Sequence, residues 1–145
     1  METQNYKNHI HYYPPHHFFF YGFAGLIFSI SIYALIKSEE HTLLWALLSA
    51  IVFMLVWLSF MLRQHYSLGN QNRIARLELR FRYYTITQKH FEELEHHLSL
   101  AQILALRFAS NDELVALTER AMKEKLSPDD IKRSIKNWIP DYMRV

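Results

Sequence analysis

Two uncharged stretches decide the fold: FFFYGFAGLIFSISIYALI over residues 18–36 and TLLWALLSAIVFMLVWLSFML over residues 42–62. At about 1.5 Å per helical residue they extend roughly 28 and 31 Å, which matches the hydrocarbon core of a bilayer. A pair of buried core helices is the alternative, but such helices carry a polar stripe at 3.6-residue spacing, and neither stretch has one. The sequence therefore predicts two transmembrane helices.

The segment between the two stretches, Lys37–His41, is long enough only for the turn of a helical hairpin, so both chain ends face the same side. The turn has one Lys and two Glu, whereas the residues after the second stretch combine five arginines with a single acid, Glu78. The positive-inside rule then predicts that both termini are cytoplasmic. A cleaved signal peptide is the competing interpretation of the first stretch, which is long for one and lacks a small-residue cleavage site.

Composition excludes several classes of protein. The 145 residues suffice for one ordinary domain, and 50% of them are hydrophobic. The absence of Cys excludes disulfide scaffolds, thiolate metal sites and a Cys nucleophile, and three Gly with four Pro argue against a glycine-rich phosphate loop. The mean hydropathy of −0.11 averages an apolar first half with a charged second half. What remains is an all-α membrane protein.

Aromatic and small residues suggest how the hairpin is held. Aromatic and imidazole rings with a polar edge prefer the headgroup level, which makes interface anchors of Tyr12, Tyr13, His16, His17, Trp45 and Trp57. Small residues at four-residue spacing allow close helix approach, and they are Gly25 with Ser29 and Ala46 with Ala50. They pack the two spans together or form a dimer face, and the first alternative is favoured.

The composition changes once, just after Leu62. The chain therefore divides into an N-terminal interfacial segment (1–17), the transmembrane hairpin (18–62) and a cytoplasmic helical domain (63–145). Residues 63–89 have six basic residues and one acid, a balance of +5, whereas residues 90–145 have eight basic and ten acidic residues, a balance of −2. The positive charge is thus next to the membrane.

The first part of the cytoplasmic domain is predicted to be an amphipathic helix from about Gln71 to Tyr84. Apolar side chains recur at helical spacing at Ile74, Leu77, Phe81 and Tyr84. The basic residues predicted to contact anionic lipid or a partner are Arg63, Arg73, Arg76, Arg80 and Arg82. They alternatively serve only to set topology. Gly69-Asn70 either bends this helix away from the second span or is absorbed in one long helix.

Three more helical segments follow. An apolar pattern runs from Phe91 to Ala109, Ser110 with Glu113 forms a capping box that starts a helix ending near Leu126, and Ser127-Pro128 starts a last helix to Trp138. The small cytoplasmic bundle has about 55 residues, a size at which a core alone is marginal, so packing against a partner, a second copy or the membrane would stabilise it.

Several segments resemble a family of small bacterial membrane proteins known only as a domain of unknown function. The resemblance is carried by residues 5–9 (NYKNH), 15–17 (PHH), 73–80 (RIARLELR), 106–110 (LRFAS) and the end of the chain, IKNW at 135–138 and DYMRV at 141–145. It covers nearly the whole chain and implies two N-terminal spans with a helical cytoplasmic tail in the bacterial inner membrane. It implies no activity and no functional residues. Where the family pattern has an acid after Gln71, this chain has Asn72.

Two arrangements of side chains could bind metal. The N-terminal cluster of His9, His11, His16 and His17 offers imidazole ligands, but Pro14 and Pro15 stiffen it and no carboxylate follows closely. Glu93 and His96 have the Glu-x-x-His spacing of di-iron bundles, in which two such motifs are usual. We expect anchoring and hydrogen bonding from the first and a solvated helix face from the second, with no metal and no cofactor.

The sequence favours a non-enzymatic module. It has no nucleophile motif, no phosphate loop and no charged residue inside the spans, and its net acidic tail argues against nucleic acid. We expect a multi-pass inner-membrane protein that contacts lipid and either self-associates or binds a membrane protein partner. The alternatives are an accessory or regulatory subunit of a membrane transporter or enzyme complex, and a histidine-based metal or pH sensor.

Overall fold

The computed structural model describes residues 4–9 and 13–141, and in these ranges the chain is all-helical with two long apolar helices. Two π-helical turns, Pro15–Phe20 and Leu62–Ser67, each adjoin one of the long helices. The α-helices are α1 (Tyr21–Lys37), α2 (Thr42–Met61), α3 (Leu68–Thr87), α4 (Glu92–Glu95), α5 (Leu100–Leu106), α6 (Asn111–Lys123) and α7 (Pro128–Ser134).

The chain forms two compact units, one of which contains α1 and α2 as a helical hairpin. Helical segments over Pro15–Lys37 and from Thr42 onward are long and apolar enough to cross a membrane. The buried residues of the hairpin are Ser31 in α1 and Ser49 and Val52 in α2, and the Ser49 hydroxyl donates to the Ser31 hydroxyl at 2.8 Å. Small residues allow two helix backbones to approach closely, which explains why the hairpin closes here.

The four small residues predicted to pack the helices lie elsewhere. Gly25, Ser29 and Ala50 are exposed and Ala46 is half-buried. A Cβ added at Gly25 would meet nothing within 4 Å. Ser31 lies two residues beyond Ser29, about 200° around the helix, so the buried hydroxyl contact is on a different face of α1 from Ser29. The four residues remain a predicted face for another copy.

Helical conformation continues without a break through Gly69 and Asn70. The second long helix runs from Thr42 to Thr87, with the π-helical turn Leu62–Ser67 between α2 and α3. Of the two alternatives that the sequence left open, the structure therefore has the continuous helix.

The second unit, which we call the helical domain, comprises the described residues 4–9 and 70–141. Its fully buried side chains come from α3, the α3–α4 link, α5, α6 and α7, and the largest are Leu79, Phe91, Ile103, Leu106, Leu114 and Ile131. The Tyr83 ring packs against Phe91 with a 5.2 Å centroid separation. Starts at Ser110 and Ser127 agree with the sequence: each forms the N-cap of its helix.

The segment from Phe91 to Ala109 is two helices instead of the continuous pattern that its apolar spacing predicts. Ser99 interrupts it as the N-cap of α5, with an extended backbone. Its backbone amide donates to Gln102 Oε1 at 2.7 Å, and its hydroxyl accepts from the Gln102 amide at 3.3 Å. This reciprocal capping box satisfies amides that would otherwise lack partners, so a new helix begins there.

The last helix is shorter than predicted, because it ends at Ser134 and not at Trp138. Beyond it the backbone is extended, and the amides of Lys136 and Asn137 donate to the Glu113 carboxylate at 3.2 and 3.0 Å. The Ile139 amide then donates to the Phe108 carbonyl at 2.8 Å. Glu113 therefore accepts hydrogen bonds from amides that, in a longer helix, would have donated to carbonyls of the same helix.

Candidate functional site

Helix α3 has two apolar faces, of which one is buried and the other is exposed. Ala75, Leu79 and Tyr83 point into the helical domain and are buried. The other face carries four apolar side chains that are 58%, 65%, 68% and 42% exposed, and they are Ile74, Leu77, Phe81 and Tyr84. We call these four residues the α3 face. Contiguous exposed apolar surface marks interaction sites, because its burial is favourable by about 25 cal/mol per Å².

Arg82 connects α3 to the link between α5 and α6. Its two terminal nitrogens donate to the carbonyls of Arg107 and Ala109 at 2.7 and 2.6 Å. Its guanidinium also donates to Asn111 Oδ1 at 3.1 and 3.0 Å. A planar fork of donors suits several acceptors at once. The side chain that the sequence assigned to lipid or partner contact thus has partners inside the domain.

Arg80 likewise points to its own domain. It donates to both carboxylate oxygens of Glu95 at 2.9 and 2.5 Å, and it lies 3.5 Å from Glu92. The pair ties α3 to α4. Hydrogen bonds from Arg80 lower the pKa of the Glu95 carboxyl below its ordinary value, because they stabilise its charged form.

The other three predicted contact arginines are placed differently. Arg73 is exposed, whereas Arg63 and Arg76 are half-buried. Within the helical domain, Arg73 is therefore the member of the basic set with the most exposed position. The spacing of the arginines predicted their charge near the membrane, but it did not reveal which of them would turn inward.

The N-terminal segment docks on α7. The Tyr6 hydroxyl donates to the Asp129 carboxylate at 2.8 Å and accepts from Arg133 Nε at 3.1 Å. The Arg133 guanidinium also lies 5.1 Å from the centre of the Tyr6 ring, which is cation–π geometry. Residues that precede the first long helix thus belong to the same unit as residues that follow the second.

His9 extends this docking. Its Nδ1 lies 2.7 Å from the Tyr6 carbonyl and its Nε2 lies 3.1 Å from Lys132 Nζ. Lys132 Nζ donates to Nε2, so the tautomer that fits both contacts carries its proton on Nδ1 and donates it to the Tyr6 carbonyl. Its ring packs on Phe108 and Trp138 at 6.3 and 6.0 Å. Both nitrogens are therefore occupied by protein groups.

The remaining histidine candidates do not form a metal site in the described ranges. His16 and His17 belong to the hairpin unit, with ring centroids 5.3 Å apart. His11 lies outside the described residues. Across residues 4–9 and 13–141, no group of three or more His, Asp or Glu could hold a metal ion. Glu93 and His96 are both exposed, as a solvated helix face requires.

The predicted interface anchors vary in exposure. Tyr13 and Trp57 are exposed, and Trp45, His16 and His17 are half-buried. Tyr12 lies outside the described residues. The Trp57 ring lies between those of Phe53 and Phe60, with centroid separations of 6.4 Å to each. These three exposed side chains form an aromatic row along the second long helix.

Sequence reasoning missed the docking of the N-terminal segment. Tyr6 and Asp129 are 123 positions apart, so no local spacing connects them. The one available signal was the Asp129–Arg133 pair, an i,i+4 ion pair of 2.9 Å that presents a charged platform on α7. Such a pair is common on helix surfaces and does not by itself indicate what rests on it.

A comparison with family models places the whole chain, residues 1–145, in one family. The chain belongs to the family of unknown function DUF6526. The prediction of a family without an assigned activity is thereby confirmed. No curated protein and no solved structure matches the chain. Membership in DUF6526 brings no functional residues.

Replacing Glu95 with Gln tests the contact with Arg80. The pKa of Glu95 is lower in the folded protein than in the unfolded chain. The Glu95 carboxylate therefore stabilises the fold fully above its ordinary pKa, and this stabilisation is lost as the pH falls through the lowered value. We expect Glu95→Gln to lower the free energy of unfolding by about 1–3 kcal/mol at pH 7 and to weaken its acid dependence.

Denaturant unfolding of the full chain in detergent at pH 7, 5 and 3.5 measures this effect. Glu124→Gln is the matched control, because its pair with Arg120 is exposed at both ends and such pairs contribute little. Equal losses from the two variants at pH 7 would contradict the assigned role of Glu95.

Replacing Tyr6 with Phe tests the N-terminal docking. The hydroxyl that bridges Asp129 and Arg133 is lost. Its hydrogen bonds contribute about 0.5–1.5 kcal/mol to the docking of residues 4–9, so we expect local opening of this segment to become about 2- to 10-fold more frequent. Hydrogen exchange followed by mass spectrometry on the full chain measures the protection of these amides.

The matched control for this measurement is Tyr13→Phe, because Tyr13 belongs to the other unit. It should leave the exchange of residues 4–9 unchanged. Identical exchange in Tyr6→Phe and the unsubstituted protein would show that the hydroxyl does not hold the segment.

Proposed function

We propose that this chain is a non-enzymatic helical interaction module anchored in the bacterial inner membrane. Helices α1 and α2 form the multi-pass anchor, both termini are cytoplasmic, and the helical domain presents the α3 face to a protein partner beside the membrane. Lipid contact belongs to this proposal for Arg63, Arg73 and Arg76, because Arg80 and Arg82 have partners within the domain.

The docking of residues 4–9 on α7 supports the proposed topology. The two ends of a membrane hairpin can share one folded unit only if they are on the same side of the bilayer. Tyr6 and His9 precede the first long helix, yet they bond to Asp129 and Lys132. The arginine excess after the second span favours the cytoplasm as that side.

The observation that carries the interaction role is the α3 face. Its four side chains are exposed although the helix that bears them is packed on the domain through its other face. A helical domain of this size gains stability when such a face is covered. The arginine clusters of the described domain support this role and not a catalytic one, because Arg80 and Arg82 bind carboxylates and carbonyls as structural partners.

Cysteine labelling tests the topology, because the chain has no native Cys. Glu40→Cys, in the turn between α1 and α2, should react with a membrane-impermeant maleimide in intact cells. Lys123→Cys, at the exposed end of α6, should react only after permeabilisation. Labelling of Lys123→Cys from outside would reverse the proposed orientation, and labelling of both would contradict membrane crossing.

Site-specific photo-crosslinking tests the interaction role. A benzophenone amino acid in place of Phe81, the most exposed member of the α3 face, should crosslink the full chain in native membranes to protein. The same group in place of Glu119, exposed on α6, is the matched control and should give at most a tenth of that yield. Equal yields at the two positions, or none at Phe81, would contradict a docking role for the α3 face.

A further inference from the structure

The α3 face has the spacing of a coiled-coil seam. Ile74, Leu77, Phe81 and Tyr84 follow one another at intervals of three, four and three residues, which are the a and d positions of two heptads. The buried residues Ala75, Leu79 and Tyr83 then fall at b, f and c, on the side that packs on the domain. One side of α3 thus packs on the domain, and the seam on its other side is exposed.

The residue types of the first heptad favour a pair of parallel helices. A β-branched residue at a with Leu at d is the combination that favours two strands, and this heptad has Ile74 at a and Leu77 at d. In each copy α3 continues the second long helix, Thr42–Thr87, and the proposed anchor gives both of these helices the same direction, so the two α3 helices run in parallel. Residue type and anchoring therefore favour the same geometry.

The charges beside the seam complement a second copy. Arg73 occupies a g position and Glu78 the following e position, and both are exposed. In a parallel pair each g residue lies beside the next e residue of the other helix, so Arg73 would face Glu78 of the second copy, twice by symmetry. Antiparallel pairing would instead oppose Glu78 to Glu78 of the second copy.

We propose that the α3 face binds a second copy of this chain, as a parallel, in-register helix pair with two Arg73–Glu78 contacts between the copies. The inference rests on the proposed function, because the anchor supplies the parallel orientation and confines both copies to one membrane. The seam extends about 15 Å, which is short for a coiled coil in solution. Confinement to one membrane raises the effective concentration of the second copy and so favours a pair that would be weak in solution.

A lipid surface fits the α3 face less well than a second copy does. Anionic lipid attracts basic residues and repels acids. Glu78 lies beside the seam, and hydrogen bonds direct the side chains of Arg80 and Arg82 to their own domain and not to a lipid surface. The flanks of the seam therefore carry both signs of charge, as a self-complementary surface requires.

Charge exchange in the full chain tests the pairing. Arg73→Glu and Glu78→Arg each turn both contacts into repulsions, and we expect each to lower the dimer fraction in nanodiscs of the same lipid composition roughly tenfold. The double variant, Arg73→Glu with Glu78→Arg, should restore it. Both residues are exposed, so neither substitution changes a buried side chain of the domain.

Disulfide trapping in native membranes gives an independent measurement. Leu77→Cys, at d, should form a homodimer under mild oxidation, whereas Ile86→Cys, exposed at f of the same helix, should not. A monomer in both assays, a dimer that ignores the charge exchange, or equal trapping at the two positions would overturn the inference.

Two further outcomes distinguish this inference from the proposed function. If the benzophenone at Phe81 captures a different protein and charge exchange leaves the mass unchanged, the interaction module survives and self-pairing fails. If Glu78→Arg strengthens and Arg73→Glu weakens binding of the chain's α3 region to anionic lipid in a fluorescence-quenching measurement, a membrane covers the face and self-pairing fails as well.

Discussion

The helical domain depends on the fork that Arg82 forms across the end of α5. A helix that ends leaves carbonyls without intrahelical partners, and burial of such carbonyls is costly. The guanidinium from α3 supplies the donors for the carbonyls of Arg107 and Ala109. It also donates to Asn111, the first residue of α6, so this one side chain connects α3, α5 and α6.

The same link then organises the end of the chain. The Ser110 amide donates to the Asn137 carbonyl, and Glu113 in the first turn of α6 holds two amides of the segment that contains Asn137. Trp138 is thereby brought onto Phe108 and His9. The N-terminal segment thus rests on a surface that exists only after the chain beyond α7 has turned back on the α5–α6 link.

Much of the fold follows from local sequence signals. The apolar stretches, the helical period of α3 and the N-caps at Ser110 and Ser127 each depend on residues within one or two turns, and they could be predicted. The end of α7 could not, because it depends on Glu113, 23 and 24 positions away from the amides that it binds. The break at Ser99 was a local signal that the apolar spacing around it concealed.

The candidate site shows the same division between local and distant information. The spacing places Ile74, Leu77, Phe81 and Tyr84 on one face and the arginines beside it. Periodicity gives no account of which carboxylate or carbonyl lies opposite, so the inward turn of Arg80 and Arg82 could be found only from the tertiary structure.

The docking of Tyr6 and His9 on α7 has a consequence for how the protein is made. These residues leave the ribosome before their partners, which lie 123 positions later in the chain. The domain therefore cannot close until both long helices have been synthesised. With the membrane anchor that we propose, closure requires correct insertion, because a first helix inserted in the opposite sense would place Tyr6 and His9 across the bilayer from Asp129 and Lys132.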